Sequence, residues 1–265
     1  MSSAARDRPS RRIAVVVDAG EQSLHVIGLA AVIAAALKAE LEGVFVEDAE
    51  LLRAVGLPFQ REFRLTTRGE ETVDAGRLER ELRAVARRVQ TSLAQSAERL
   101  GCRWSFRTWR GDLEGEILSA ASSAEMFTLG PLGRFAPLLS RAAAAMPADR
   151  PLIVGVLCDG SAGALRALAA ASELAGQGGT LQVFLQSRDD AGSESLREQV
   201  CKAVGAGFER ARLVPMAVAD PPGIVSTVVA SGGDVLVIDA GNPLLARNTL
   251  WQSLVALRCP MLVVR

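Results

Sequence analysis

The sequence predicts an α/β protein made of two doubly wound, Rossmann-like parallel sheets in tandem, each an αβα sandwich. Three observations point there. Short apolar runs end in a carboxylate, as in Arg12-Ile-Ala-Val-Val-Val-Asp18 and Pro151-Leu-Ile-Val-Gly-Val-Leu-Cys-Asp159. Such runs suit strands buried on both faces, which belong to parallel sheets. Helical patterns follow the runs, so the chain alternates strand and helix. The order of the segments in the first half then recurs in the second.

In chain order, Arg11–Asp18 is the first strand and Leu24–Ala39 the first helix, with Ser23 as its N-cap. Glu40–Val46 is the second strand. The charged stretch Glu47–Gly76 reads as a long connection with a short helix at Ala49–Val55, and connections of this length usually serve function. Arg77–Leu100 is an amphipathic helix whose arginines alternate with Glu79, Glu81 and Glu98, which reads as a solvated face. Cys102–Thr108 is a third strand, Asp112 caps a helix over Leu113–Ser122, Met126–Leu129 is a fourth strand, and Ala136–Ala145 is a helix.

Met146–Pro151 is a proline-containing link, so the domains are placed at 11–148 and 149–265. The pattern then restarts. Asp159 answers Asp18, Gln182-Val-Phe-Leu answers Gly43-Val-Phe-Val, and Asp220 answers Asp112. Helices are expected at Gly163–Gly176, Ser193–Val204, Gly223–Ser231 and Asn248–Leu257. Strands are expected at Arg212–Val218, Asp234–Asp239 and Cys259–Arg265. The first copy passes directly into the strand that opens the second, without a last strand of its own.

Composition excludes several classes. Lys+Arg and Asp+Glu both number 30, which argues against a general binder of nucleic acid or anionic membrane. Aromatic residues make up 4% of the chain and tyrosine is absent, so base-stacking platforms are not expected. The four cysteines are scattered and there is one histidine, His25, so neither a zinc site nor a disulfide framework is expected. Cys158 and Cys259 lie in apolar runs and read as buried thiols. The basic, polar start lacks the apolar core of a signal peptide, and no run is long enough to span a bilayer, so a cytoplasmic protein is expected.

The carboxyl ends of the strands are where such folds bind ligands. Asp18, Val46, Asp112 and the turn Leu129-Gly130-Pro-Leu-Gly133 all fall there. With the closing Cys259-Pro-Met-Leu-Val-Val and the Asp159-Gly160-Ser161 triplet, these segments make the chain resemble a tandem universal stress protein over Arg11–Arg265. The resemblance implies a family with an ATP-binding branch and a branch that does not bind ATP. It implies that Asp18 and the backbone of Val46 would hold adenosine, and that Gly130 and Gly133 would hold phosphates. After Gly133 and a gap of nine residues (134–142), the chain has Ala143-Ala144 where the ATP-binding pattern has Gly-Ser/Thr. Alanine keeps the backbone donors, but it adds a methyl group and removes a hydroxyl. In the second copy, Gly241-Asn-Pro-Leu stands in place of the Gly-x-x-Gly turn, and Pro243 lacks an N–H, so triphosphate binding is not expected there.

The function read from the sequence is a non-catalytic, stress-response regulatory protein with degenerate nucleotide-binding motifs and no cofactor. It would act through a protein partner, a second copy of the chain, or an internal pseudo-dimer joined through last strands. The alternative is weak adenine-nucleotide (ATP or AMP) binding through the first copy alone. An enzyme is the third reading, and Gly-x-Ser-x-Gly, a complete P-loop and a metal-ligand cluster are all missing from the sequence.

Overall fold

The computed structural model describes residues 11–17, 23–49, 53, 61–63, 70–72, 75–111, 126–129, 151–187, 189–217, 221–245, 257 and 259–265. In the first half these form β1 (Arg12–Val17), α1 (Ser23–Ala36), β2 (Glu40–Asp48), β3 (Arg61–Phe63), β4 (Glu70–Thr72), α2 (Ala75–Leu100), β5 (Trp104–Gly111) and β6 (Met126–Leu129). In the second they form β7 (Ile153–Cys158), α3 (Ala162–Ala175), β8 (Thr180–Ser187), α4 (Asp190–Val204), β9 (Ala211–Ala217), α5 (Pro221–Ser231), β10 (Val235–Asp239) and β11 (Met261–Val264). The helices expected at 113–122 and 136–145, and most of those at 49–55 and 248–257, fall outside the described residues, as does the link at 146–150.

Local chemistry sets the boundaries. Ser161 caps α3 by accepting the Ala164 N–H at 3.1 Å, and Gly176, at φ 57°, closes its end. The α4 helix begins three residues before the sequence suggests, because the Asp189 carboxylate accepts the Gly192 N–H at 2.7 Å and caps it there. Strand β5 runs on to Gly111, past the expected Thr108, because β2 extends to Asp48 and pairs with it throughout, from Leu41↔Trp104 to Asp48↔Gly111. On α2, the pairs Arg77–Glu81 and Arg83–Glu79 lie at 3.0 Å on an exposed face. Each contributes about 0.3–0.5 kcal/mol at most, as a solvated face should.

One nine-stranded sheet runs through the chain in the order β5-β2-β1-β6-β11-β10-β7-β8-β9. Every neighbouring pair is parallel except β6 and β11, which are antiparallel with Met261↔Leu129 and Val264↔Met126 in register. The two halves wind alike: β5-β2-β1-β6 in the first mirrors β9-β8-β7-β10 in the second. The last described strand of each half meets the other at the centre of the sheet. A separate antiparallel pair, β3 with β4, lies in the segment that the sequence presents only as a long charged connection.

Alternation along each buried strand supplies two cores. Ile13, Val15 and Val17 pack with α1 and α2 residues such as Ile27, Ile33 and Leu93, in a layer continuous with Val154, Leu168 and Val200 of the second half. Ala14, Val16 and Phe127 face the other way, with Leu236, Val263, Ile224 and Val228. Both cores contain residues from each half. At the sheet surface, Arg11, just before β1, pairs with Glu173 of α3 at 2.7 Å across the same junction.

Candidate functional site

The winding creates a switch point in each half. From β1 the chain moves outward to β2 and β5, then returns to β6 on the opposite side of β1. The switch point therefore falls at the carboxyl ends of β1 and β6, the place where doubly wound sheets bind ligands in a crevice. The equivalent position in the second half lies between β7 and β10.

In the first half, β2 overshoots β1. The β1–β2 register ends at Val17↔Phe45, whereas β2 continues beside β5 through Asp48. The Glu40 N–H donates to the Arg11 carbonyl at 2.7 Å and the Leu41 N–H to the Arg103 carbonyl at 2.9 Å. Backbone groups alternate sides along a strand, so even-numbered β2 residues face β1 and odd-numbered ones face β5. Val46 is even, so its carbonyl points to the β1 side, beyond the last residue of β1. The backbone role that the resemblance implies for Val46 thus has the right direction. Its side chain is buried. Asp18, Gly130, Gly133, Asp112 and Ala143-Ala144 lie outside the described residues.

Two carboxylates of β2 are held by arginine, Glu47 toward its carboxyl end and Glu42 toward its amino end, in register with Ala14 of β1. Glu47, almost fully buried, accepts from Arg110 Nε at 3.0 Å. Glu42 bridges Arg12 at 3.3 Å and Arg107 at 3.0 Å. Glu47 is therefore committed to an ion pair and is not a lone cation ligand. Among the described residues no group of three or more His, Cys, Asp or Glu side chains is placed to hold a metal.

The second crevice is arranged differently. Asp159 follows β7 and its carboxylate accepts the Ser161 N–H at 2.9 Å, fixing the turn into α3. Asp239, the last residue of β10, accepts the Gly241 N–H at 3.0 Å and lies against the first turn of α3. A Cβ on Gly163 would overlap the Asp239 carboxylate, so glycine at 163 is what admits it. A carboxylate at a helix N-terminus is stabilised by the helix dipole. The position that a ligand anion would take is thus filled by the protein's own carboxylate.

Strand register identifies the first-half counterpart of Asp239. Ile13 pairs with Met126 and Val154 pairs with Val235. Asp18 and Asp159 align at the same offset as Ile13 and Val154, so Met126 corresponds to Val235 and, four residues on, position 130 corresponds to 239. The first half has Gly130 where the second has Asp239. Sequence alone compared Gly130 with Gly241, two residues away from this equivalence.

Two of the four thiols, Cys158 and Cys259, are secluded. Cys158 is fully buried, and burial first, then the charge of Asp159, pushes its pKa up from 9.0. Burial, with Asp234 adding to it, pushes Cys259 up to about 12. Both stay protonated and unreactive at neutral pH, as their apolar runs suggest.

A twisted parallel α/β sheet with switch-point crevices defines a class of small-ligand and nucleotide-binding folds. Within that class, the chain has the fold of the universal stress proteins. A universal stress protein from Archaeoglobus fulgidus superposes with a TM-score of 0.58 at 17% identity, over 95% of this chain and 96% of that one. A protein from Pseudomonas aeruginosa, described as a universal stress protein, superposes with a TM-score of 0.50 at 14% identity, over 97% of this chain and 93% of that one. No protein-family model and no curated protein matches the chain by sequence. No described helix is long and apolar enough to cross a membrane.

Proposed function

We propose that this chain is a non-catalytic regulatory protein of the universal stress protein type that binds adenine nucleotide weakly, through its first half alone. Its division into units of 11–148 and 149–265 belongs to the same reading. The observation that carries it is the contrast between the two switch points. Asp239 fills the second crevice, while the equivalent first-half position is a glycine. A second carboxylate-bearing ligand, or a phosphate, entering beside Asp239 would meet like charge and an occupied helix terminus. In the first half, the Val46 carbonyl is directed to the crevice and can accept from an exocyclic amine or a hydroxyl.

Weak binding follows from Ala143-Ala144, which lacks the hydroxyl of Gly-Ser/Thr. One lost hydrogen bond to a charged group is worth about 1.5–3 kcal/mol. Regulation would then proceed through the ligand-dependent conformation of the first half, read out by a protein partner or a second copy of the chain.

The test is equilibrium titration with AMP and with ATP of the parent chain and of Asp18→Ala, whose carboxylate the family resemblance assigns to adenosine. The variant is expected to bind at least tenfold more weakly while unfolding at the parent's temperature. Equal affinity of variant and parent would remove the adenosine role of Asp18. Steady release of phosphate from ATP would remove the non-catalytic reading.

A further inference from the structure

We infer that strand β5 is a dimerisation edge, to which a second copy of this chain adds its own β5 antiparallel, continuing the sheet. The inference gives the second copy in the regulatory reading a place on the fold and does not depend on nucleotide binding. The last described strands of the two halves, β6 and β11, are already paired with each other at the centre of the sheet, so its open ends are β5 and β9. These ends differ. The Leu41 N–H donates to the Arg103 carbonyl, and Leu41 is in register with Trp104, so Ser105, Arg107 and Trp109 turn their backbone groups to β2. Trp104, Phe106, Thr108 and Arg110 turn theirs outward, each with an N–H and a C=O to offer. At the other end, the Thr180 N–H donates to the Leu152 carbonyl, so odd-numbered β8 residues face β9, and Ala211, Leu213 and Pro215 turn outward. Pro215 has no N–H, and proline on an edge strand blocks strand addition. Among the described residues no strand pairs with the outer side of β5. None of its residues is fully buried, and Trp109 is the one large hydrophobic side chain exposed among the described residues, at 42%.

The sequence of β5 fits its own copy. Antiparallel addition sets outward-facing residues opposite one another in hydrogen-bonded pairs. Full overlap, with Trp104 opposite Arg110, would set Arg107 against Arg107 on the two-fold axis, and like charges directly opposite are destabilising. A slip of two residues one way leaves Arg107 against Ser105. The same slip the other way puts Thr108 opposite Thr108 on the axis. Arg107 then meets Trp109 of the second copy, twice by symmetry, and Phe106 meets Arg110 of the second copy. Both arginines are already held through Nε by carboxylates, Arg107 by Glu42 and Arg110 by Glu47, each at 3.0 Å. A guanidinium bonded along its edge keeps its faces for an aromatic ring. Trp109, which joins neither core, is covered in this pairing. The contact uses the same edge of both copies, and Pro215 stops the far edges, so the assembly closes at two.

The experiment is sedimentation equilibrium of the parent, Thr108→Pro, Trp109→Ala and Ala211→Pro, without nucleotide, with amide hydrogen exchange of the parent as a second readout. The parent is expected at twice the chain mass. Thr108→Pro removes an outward N–H and leaves the bonds to β2, so it is expected as a monomer, whereas Ala211→Pro, the same change on β9, stays dimeric. Trp109→Ala loses two exposed cation–π contacts and weakens the dimer roughly 5- to 30-fold. Exchange of the Phe106, Thr108 and Arg110 amides slows as the parent's concentration rises. If Thr108→Pro fails to fold, Trp109→Ala and the amide exchange decide. A parent that is monomeric at every concentration, a parent that forms longer polymers, or a dimer as tight in Trp109→Ala as in the parent with those amides unprotected would each overturn the inference. No nucleotide is present, so each of these results leaves the nucleotide reading standing.

Discussion

Deleting residues 259–265 is expected to abolish cooperative unfolding of the whole chain, first half included. The removed segment carries β11, which lies at the centre of the sheet between β6 and β10. Met261, Leu262, Val263 and Val264 are all buried, between 0% and 6% exposed. Burying each such side chain contributes about 1.5–3 kcal/mol, so the four together approach the roughly 5–15 kcal/mol that separates folded from unfolded domains. The deletion would also leave β6 and β10 with open edges, and such edges template aggregation. Thermal unfolding followed by circular dichroism checks this. A truncated chain that melts in a single transition within a few degrees of the parent would show that the halves do not depend on the shared strand. A milder form, Leu262→Ala, should cost about 2–5 kcal/mol.

The second large effect concerns the closed crevice. Gly163→Ala is expected to destabilise by about 1–3 kcal/mol, the usual cost of overpacking, because its methyl group would occupy the space of the Asp239 carboxylate. Asp239→Ala alone should cost less, about 1 kcal/mol, through loss of the helix-terminal charge and of the Gly241 hydrogen bond. Combined, Gly163→Ala/Asp239→Ala should be more stable than the sum of the two costs allows, since the clash disappears with the carboxylate. Chemical denaturation of the four proteins completes the double-mutant cycle. Simple additivity would mean that the carboxylate does not pack on α3 in solution.

The strands were legible wherever burial on both faces left a plain apolar run. Arg12–Val17 and Ile153–Cys158 are such cases, and their carboxylate endings marked the edge of the sheet that bears the crevices. The pseudo-symmetric winding followed from the repeated order of segments. The antiparallel pairing of β6 with β11, which joins both halves in one sheet, did not, because strand pairing between distant segments leaves no mark in either segment's own pattern. Shorter or more polar segments were harder to read. The three-residue strands Arg61–Phe63 and Glu70–Thr72 are too brief for alternation to register. The end of β5 is polar because it is an edge strand, so its length is set by its partner β2 and not by its own hydrophobicity.

The site was less legible than the fold for a physical reason. Its decisive contact joins Asp239 to Gly163, two residues far apart in the chain whose proximity comes from strand order. Asp239 looks in sequence like any carboxylate ending a strand. Only the register, through the pairs Ile13↔Met126 and Val154↔Val235, shows that it stands where the first half has glycine. Val46 is a candidate because the resemblance supplies it, and its backbone direction follows from residue parity along β2.

The most direct test of the central claim is the stoichiometry of adenine nucleotide on the native chain. Purified protein is titrated with AMP and ATP, and the bound nucleotide is counted by native mass spectrometry and recovered for analysis. The account predicts saturation at one nucleotide per chain, recovered chemically intact. Two nucleotides per chain would contradict it, because the second crevice would then be open despite Asp239, and none at saturating concentration would contradict the first-half site.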